Sequence, residues 1–374
     1  MRFADIPGHE TVKAHLRDLV DRRHMPHALL LEGTEGIAKF ALLRATAQYI
    51  HCQNRTPDGD SCGRCPSCLQ HEHFNHIDTF FSFPLLKKKS KPTISDDYAA
   101  EFADFCRRDP FMDFGAWLAE MGNDNGQPAI FVEEAAHLLE RLNLKARQAE
   151  FKIVLMWRPD RLRAEAANKL LKLIEEPHAD TIFLLSSDNP RGILPTIYSR
   201  TQRINVQPYT EAEISAMLQR NLAADPAAAT TAAALADGSY VRAVRLLSVD
   251  GERRQFMALF ISLMRLAWQR KVRELKDWAA ELAKLGREPL MRFYAYCARM
   301  TRENYIRNIG DDRLLSMAPD ERAFSDRFAP FINERNVEDI AAILDKAAAD
   351  TALNGNARII AFDLAVKMIL LIKR

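Results

Sequence analysis

Apolar and polar positions follow two different rhythms along the 374-residue chain. Short, mostly apolar runs at Ala28–Glu32 (ALLLE), Asp78–Phe83 (DTFFSF), Lys152–Trp157 (KIVLMW) and Thr181–Ser187 (TIFLLSS) each read as a buried strand. Helical spacing of apolar residues covers Lys39–Ile50, roughly Glu133–Ala149, and Ala164–Glu176. Strands that alternate with helices predict an α/β domain, with a parallel sheet and helices on both of its faces. From Tyr209 onward strand patterns cease. Residues 209–248 carry three short helical patterns, punctuated at Asp225-Pro226 and Asp237-Gly238-Ser239, and the remainder is a run of amphipathic helices. The expected division is therefore an α/β domain at 1–208, a small helical lid at 209–248 and an all-α domain at 249–374.

One stretch interrupts the alternation. Residues 84–128 hold a basic run at Lys87–Lys91, an aromatic and acidic segment, and a turn-like GNDNGQP, which together read as an insertion carrying one or two amphipathic helices. The lysine run suits a solvated loop better than a contact with DNA phosphates.

Composition narrows the class without naming a partner. Hydrophobic residues make up 48% and charged residues 27%, as in globular proteins, and 52 basic side chains balance 50 acidic ones. That balance provides no global field for nucleic acid. The opening MRFADIPGHE has no apolar signal core, and Asp363 and Lys367 interrupt the apolar segment near the chain end, so a cytoplasmic protein without a membrane span is expected.

Four of the six cysteines fall in one segment. Cys52, Cys62, Cys65 and Cys68 form C-x9-C-x2-C-x2-C, with Asp58-Gly59 available to turn the longer loop. Short links let neighbouring thiolates converge on one tetrahedral Zn²⁺, which favours a closed structural zinc site. An iron–sulfur cluster is the main chemical rival, although Glu72 stands where a ferredoxin-like fourth cysteine would be; a reactive dithiol is a further alternative. His71, His73 and His76 lie nearby as possible substitute ligands, while Cys106 and Cys297 read as buried thiols.

Between the first strand and the helix after it, Gly33–Phe40 (GTEGIAKF) approximates the phosphate-binding pattern G-x-x-x-x-G-K-[ST]. Gly33 and Lys39 fit, and Gly36 adds flexibility. Ala38 replaces the second glycine, and Phe40 replaces the hydroxyl that would ligate Mg²⁺. A simple turn with an exposed lysine explains these eight residues about equally well. A working site would also need an acidic pair at the end of a neighbouring strand, for Mg²⁺ and for the attacking water. Trp157 and Arg158 stand there, and neither is a metal ligand or a base at neutral pH.

Several segments together carry a resemblance: FADIPGHETVKAHL near the start, RRHMPHALLLEG, the four-cysteine insertion, ANKLLKLIEEP at Ala167–Pro177, and LPTIYSRTQRI at Leu194–Ile204. The chain resembles the delta-prime subunits of bacterial DNA polymerase III clamp loaders, members of the AAA+ family. The likeness covers the first 208 residues apart from the insertion, and the helical remainder in pattern only. It implies an AAA+ module with a zinc loop, a lid and a C-terminal oligomerisation collar. It further implies a non-hydrolysing subunit working with gamma/tau ATPases and a delta subunit to load a sliding clamp onto primed DNA. ATP binding in cis through Gly33, Gly36 and Lys39 is then weak or absent. Ser199-Arg200-Thr201 corresponds to the family's Ser-Arg-Cys motif, so Arg200 would act in trans on a neighbour's ATP; without the resemblance, Arg200 reads as an exposed residue paired with a nearby acid. The cysteine loop is one residue longer than the family's usual pattern, 84–128 has no counterpart, and Arg242 falls one residue after the motor subunits' sensor arginine. The alternatives are a gamma/tau-type motor, opposed by Phe40, Trp157 and Arg158, and a free-standing zinc DNA-binding protein, which the charge balance does not support.

Overall fold

The computed structural model describes residues 1–87, 92–122, 127–175, 180–310, 315 and 317–373. The expected lysine run Lys87–Lys91 beyond Lys87, the turn at 123–126 and the end of the ANKLLKLIEEP motif lie outside the described residues. Five strands, β1 (Ala28–Glu32), β2 (Thr79–Ser82), β3 (Lys152–Trp157), β4 (Thr181–Ser187) and β5 (Gln202–Asn205), form one sheet in the order β2-β3-β4-β1-β5. Every neighbouring pair is parallel. Because β3 and β4 are buried along their whole length, they read as continuous apolar runs. The edge strand β5 has no such run: its QRIN is largely exposed and is held by main-chain pairing with β1, so periodicity does not predict it.

Alternation along each strand divides the core between two faces. Leu29, Leu31, Ile153, Leu155 and Leu184 share one apolar cluster with α2 (Lys39–His51). Leu30, Val154, Met156, Phe183 and Leu185 share another with α6 (Val132–Leu142) and α7 (Ala164–Glu175). The remaining helices of this region are α1 (Glu10–Asp21), α3 (Pro66–Glu72), α4 (Ala99–Arg108), α5 (Phe114–Glu120) and α8 (Pro195–Tyr198). This is the expected α/β arrangement, a parallel sheet with helices on both of its faces.

Two helical expectations need correction. The helix anticipated over Glu133–Ala149 ends at Leu142. The Asp78 carboxylate accepts hydrogen bonds from the backbone N–H groups of Arg147, Gln148 and Ala149, at 2.8, 2.7 and 2.9 Å, and so holds that stretch as a loop. Lys152 Nζ then takes up the freed carbonyls of Leu142 and Leu144 at 2.6 and 2.8 Å. The third lid pattern is also not short: after α9 (Glu211–Leu222) and α10 (Pro226–Leu235), α11 runs from Tyr240 to Trp268 without stopping at Gly251.

The chain divides into two compact units, Met1–Leu247 and Ser248–Arg374. Within the first unit, Ile214, Leu218, Ala233 and Val241 belong to the same apolar cluster as Leu29 and Phe40. In the second unit, α12 (Val272–Leu282), α13 (Arg287–Ile309), α14 (Pro319–Phe328), α15 (Val337–Ala352) and α16 (Ala357–Leu371) surround a core that includes Phe260, Trp278, Phe293, Leu344 and Leu364. Among the described residues, no helix is long and apolar enough to cross a membrane.

Candidate functional site

The loop read as a degenerate phosphate-binding motif, Gly33–Ala38, joins β1 to α2. Ala38 caps α2 with φ 57° and ψ 24°, left-handed values that a glycine would adopt without strain. Gly36 is required for a different reason: a Cβ there would lie 2.7–2.8 Å from Ser239 Oγ and from the Cβ and N of Val241. The start of α11 thus rests directly on the loop, and Tyr240 N–H donates to the Gly36 carbonyl at 3.1 Å. Val241 takes the place next to the loop, while Arg242 pairs with Asp237.

Lys39 does not point into open solvent. Its side chain is 4% exposed; Nζ lies 2.7 Å from Asp188 Oδ1 and donates to the Thr34 carbonyl. Burial lowers its pKa and Asp188 opposes that shift. The other oxygen of Asp188 accepts from Arg158 Nη1 at 3.0 Å, and Arg158 Nη2 donates to Asp160 at 2.9 Å. Burial disfavours the Arg158 charge, but Asp160 and Asp188 more than offset it and raise its pKa. Ser187 Oγ completes the chain by donating to Asp160 at 2.8 Å. Asp160 and Asp188 thus answer Lys39, Arg158 and, at 3.7 Å, Arg161 beside the loop. An incoming phosphate would have to displace Asp188 from Lys39.

The hydroxyl position and the first of the two acidic positions are filled by aromatic rings, Phe40 and Trp157, and the second by Arg158. Phe40 is buried, edge-on to Phe102 at 5.8 Å between centroids and 6.5 Å from Trp157. Phe102 and Phe105 of α4 and Phe114 of α5 lie within 6.0 Å of Trp157, and Phe114 also underlies the Arg158 guanidinium at 4.7 Å. Both helices belong to the 84–128 insertion. Its neck is fastened by reciprocal Leu85–Ala129 backbone hydrogen bonds of 3.0 Å, and Trp117 Nε1 donates to the Pro84 carbonyl at 2.9 Å. Arg245 ties the loop to the insertion by contacting both Glu35 and Asp113. A cavity of about 540 Å³ remains beside the loop, lined by Ile6, Pro7, Ala38, Phe111, Tyr240 and Val244 among others. Even there the insertion intrudes, with the Phe111 ring 4.1 Å from that of Tyr240.

Arg200 follows α8 at the surface, 38% exposed. Its guanidinium pairs with Glu175 at the end of α7 and donates to the Thr196 carbonyl at 2.9 Å. Gly33, Gly36 and Lys39 are gathered in one loop, and Arg200 is not among their contacts.

At the other end of α2 the four cysteines converge. Their sulfurs all lie within 4.8 Å of one another, and none is in a disulfide. The 3.9 Å Cys62–Cys68 separation matches the ~3.8 Å edge of a tetrahedron with metal–sulfur bonds near 2.3 Å. Backbone N–H groups of Cys62, Cys65 and Cys68 point at the sulfurs of Cys52, Cys62 and Cys65, at 3.3, 3.3 and 3.5 Å. Such donors stabilise thiolates. The cluster is therefore able to hold a metal ion. His73, a candidate substitute ligand, is exposed and outside it, while Cys106 and Cys297 are buried thiols elsewhere. The sequence reading missed Asp188 as the lysine's partner and the insertion's aromatic rings as the filling of the site.

Comparison with known proteins places the sequence among DNA polymerase III subunits. The DNA polymerase III subunit delta' of Pseudomonas aeruginosa is 32% identical over 227 residues, covering 60% of this chain and 57% of that protein. The delta' subunit of Yersinia pestis is 27% identical over 238 residues, covering 60% and 56%. The tau/gamma subunit of Haemophilus influenzae is 26% identical over 242 residues, covering 63% of this chain and 29% of that protein. The delta' matches thus span little more than half of those relatives' own length. A gamma subunit-related protein of Thermotoga maritima superposes with a TM-score of 0.36 at 12% identity, covering 96% of this chain and 99% of that one, a score too low to bear on function. The family model described as "DNA polymerase III, delta subunit" matches residues 8–210, more than half of the sequence, and the chain belongs to that family.

Proposed function

We propose that this chain is the non-hydrolysing, delta-prime-type member of a DNA polymerase III clamp loader. It assembles with gamma/tau ATPases and a delta subunit through residues 249–374, with 1–208 as the AAA+ module and 209–248 as its lid. In that assembly it helps the ATP-dependent loading of a sliding clamp onto primed DNA in the cytoplasm. The observation that carries this reading is the closed ion network Lys39–Asp188–Arg158–Asp160 beneath the aromatic contacts of Phe40 and Trp157. It engages both carboxylates of the site, Asp160 and Asp188, with cations, so that neither is free to hold Mg²⁺ or to act as a base in cis. Arg200 supplies the chain's contribution to chemistry: released from Glu175, its guanidinium stabilises charge on the transferring phosphoryl group of a neighbour's ATP. Cys52, Cys62, Cys65 and Cys68 hold structural Zn²⁺, whose closed thiolate shell leaves no open position for catalysis.

A motor reading analogous to the tau/gamma relatives is opposed by the same network. The experiment is ATP turnover, DNA-stimulated, by the purified chain and by a complex reconstituted with its cognate ATPase and delta subunits. The isolated chain should show none, and Arg200→Ala should slow the complex while leaving it assembled. Robust turnover by the isolated chain would refute the proposal; an unchanged complex would remove Arg200 from the mechanism.

A further inference from the structure

Three buried histidines beside the cysteine cluster have no part in the function just proposed. His51 is the last residue of α2, His71 lies in the last turn of α3, and His76 precedes β2. His51 Nδ1 is 2.9 Å from His71 Nε2, and the His76 ring sits 4.3 and 4.6 Å from the other two rings. One ring nitrogen from each histidine lies within 4.8 Å of the other two. The Thr79 hydroxyl stands 3.5 Å from Nδ1 of both His51 and His76, and His76 Nδ1 also accepts from the Asp78 backbone N–H at 3.3 Å, which leaves Nε2 as the ligand nitrogen of His76.

The surroundings orient the rings as ligands. His51 Nε2 is 2.8 Å from the Phe151 carbonyl, which fixes a proton on Nε2 and leaves the Nδ1 lone pair facing His71. Asp78, the acid of this segment, has its carboxylate occupied by three backbone N–H groups. As a purely hydrogen-bonded core the triad is incomplete, because His76 Nε2 is buried without a partner.

We propose that His51, His71 and His76 form a second divalent-metal site, of the Zn²⁺ class, distinct from the four-cysteine site. Imidazole nitrogens suit this ion, and three protein ligands leave a fourth position, beside Thr79, for water. Zinc–nitrogen bonds near 2.0–2.1 Å require nitrogens ~3.3 Å apart in a tetrahedron, so His51 and His71 separate by a few tenths of an ångström on binding. His71 carries its proton on Nδ1 in the bound form, and no net proton is released.

The test uses the full chain, loaded with Zn²⁺ and freed of excess ion by gel filtration. Elemental analysis should find about two zinc ions per chain, falling to about one in His71→Ala and, independently, in a Cys62→Ser/Cys65→Ser double variant. Zinc-edge X-ray absorption of the wild type, which depends on no variant folding, should give mixed sulfur and nitrogen/oxygen neighbours in comparable numbers. One zinc per chain with an all-sulfur shell, unchanged in His71→Ala, would overturn the second site while leaving the cysteine site and the proposed function intact.

Discussion

The two ends of helix α2 offer opposite chemistry. At its first residue, Lys39 is matched by Asp188, Asp188 by Arg158, and the positions for a hydroxyl and a metal-binding carboxylate carry the aromatic rings of Phe40 and Trp157, packed against α4 and α5. Beyond its last residue, the sulfur atoms of four cysteines face one another, with backbone N–H groups as their nearest polar contacts. A ligand-binding motif is therefore judged by where its charges are answered. In the phosphate loop the protein answers them itself; in the cysteine cluster it collects donors that an ion would unite.

Removing the ion proposed for the cysteines should have the largest effect. Structural zinc contributes on the order of 10 kcal/mol in small zinc domains, and a larger unit should retain part of that dependence. Chelation, or Cys62→Ser/Cys65→Ser, should lower the melting temperature by about 10 °C or more and open residues 52–76 to proteolysis. An unchanged melting curve in a verified zinc-free sample would erase the contrast between the two ends. Arg200→Ala comes next: turnover of the assembled complex should fall by roughly 10³-fold, on the scale of other trans arginines. Its half-exposed pair with Glu175 should contribute less than about 0.5 kcal/mol to the chain's own stability, as read by urea denaturation.

Asp188→Ala sharpens the comparison further. It strands the buried Lys39 charge and takes one partner from Arg158, so unfolding should cost about 3 kcal/mol less than in the wild type. A change near zero would mean that the loop's charges are not balanced by the protein. The smallest effect is expected from Ala38→Gly, which relieves a left-handed alanine and should stabilise the folded chain by up to about 1 kcal/mol without creating ATP turnover.

The sequence makes some of this contrast plain and conceals the rest. Phe40, Trp157 and Arg158 are visible as losses because they violate a fixed local spacing, and the cysteines are visible because theirs fits a metal. Four strands follow from apolar runs, while β5 stays hidden because its side chains are exposed and only its backbone pairs. Asp188 is unremarkable in the sequence; it becomes the partner of Lys39 only when parallel pairing brings the end of β4 beside that of β1. The insertion's aromatic content is legible, but its contact with Phe40 and Trp157 spans dozens of residues and has no periodic signature. His51 is likewise masked as the polar end of a helix, its neighbours His71 and His76 arriving from other elements.

The central claim is that the phosphate loop is closed by the chain's own groups. It is tested most directly by equilibrium binding of radiolabelled Mg-ATP to the isolated, zinc-replete chain, with product analysis of the same samples. The account predicts no saturable binding up to millimolar nucleotide and no ADP formed. Saturable binding accompanied by hydrolysis, and abolished by Lys39→Ala, would contradict it.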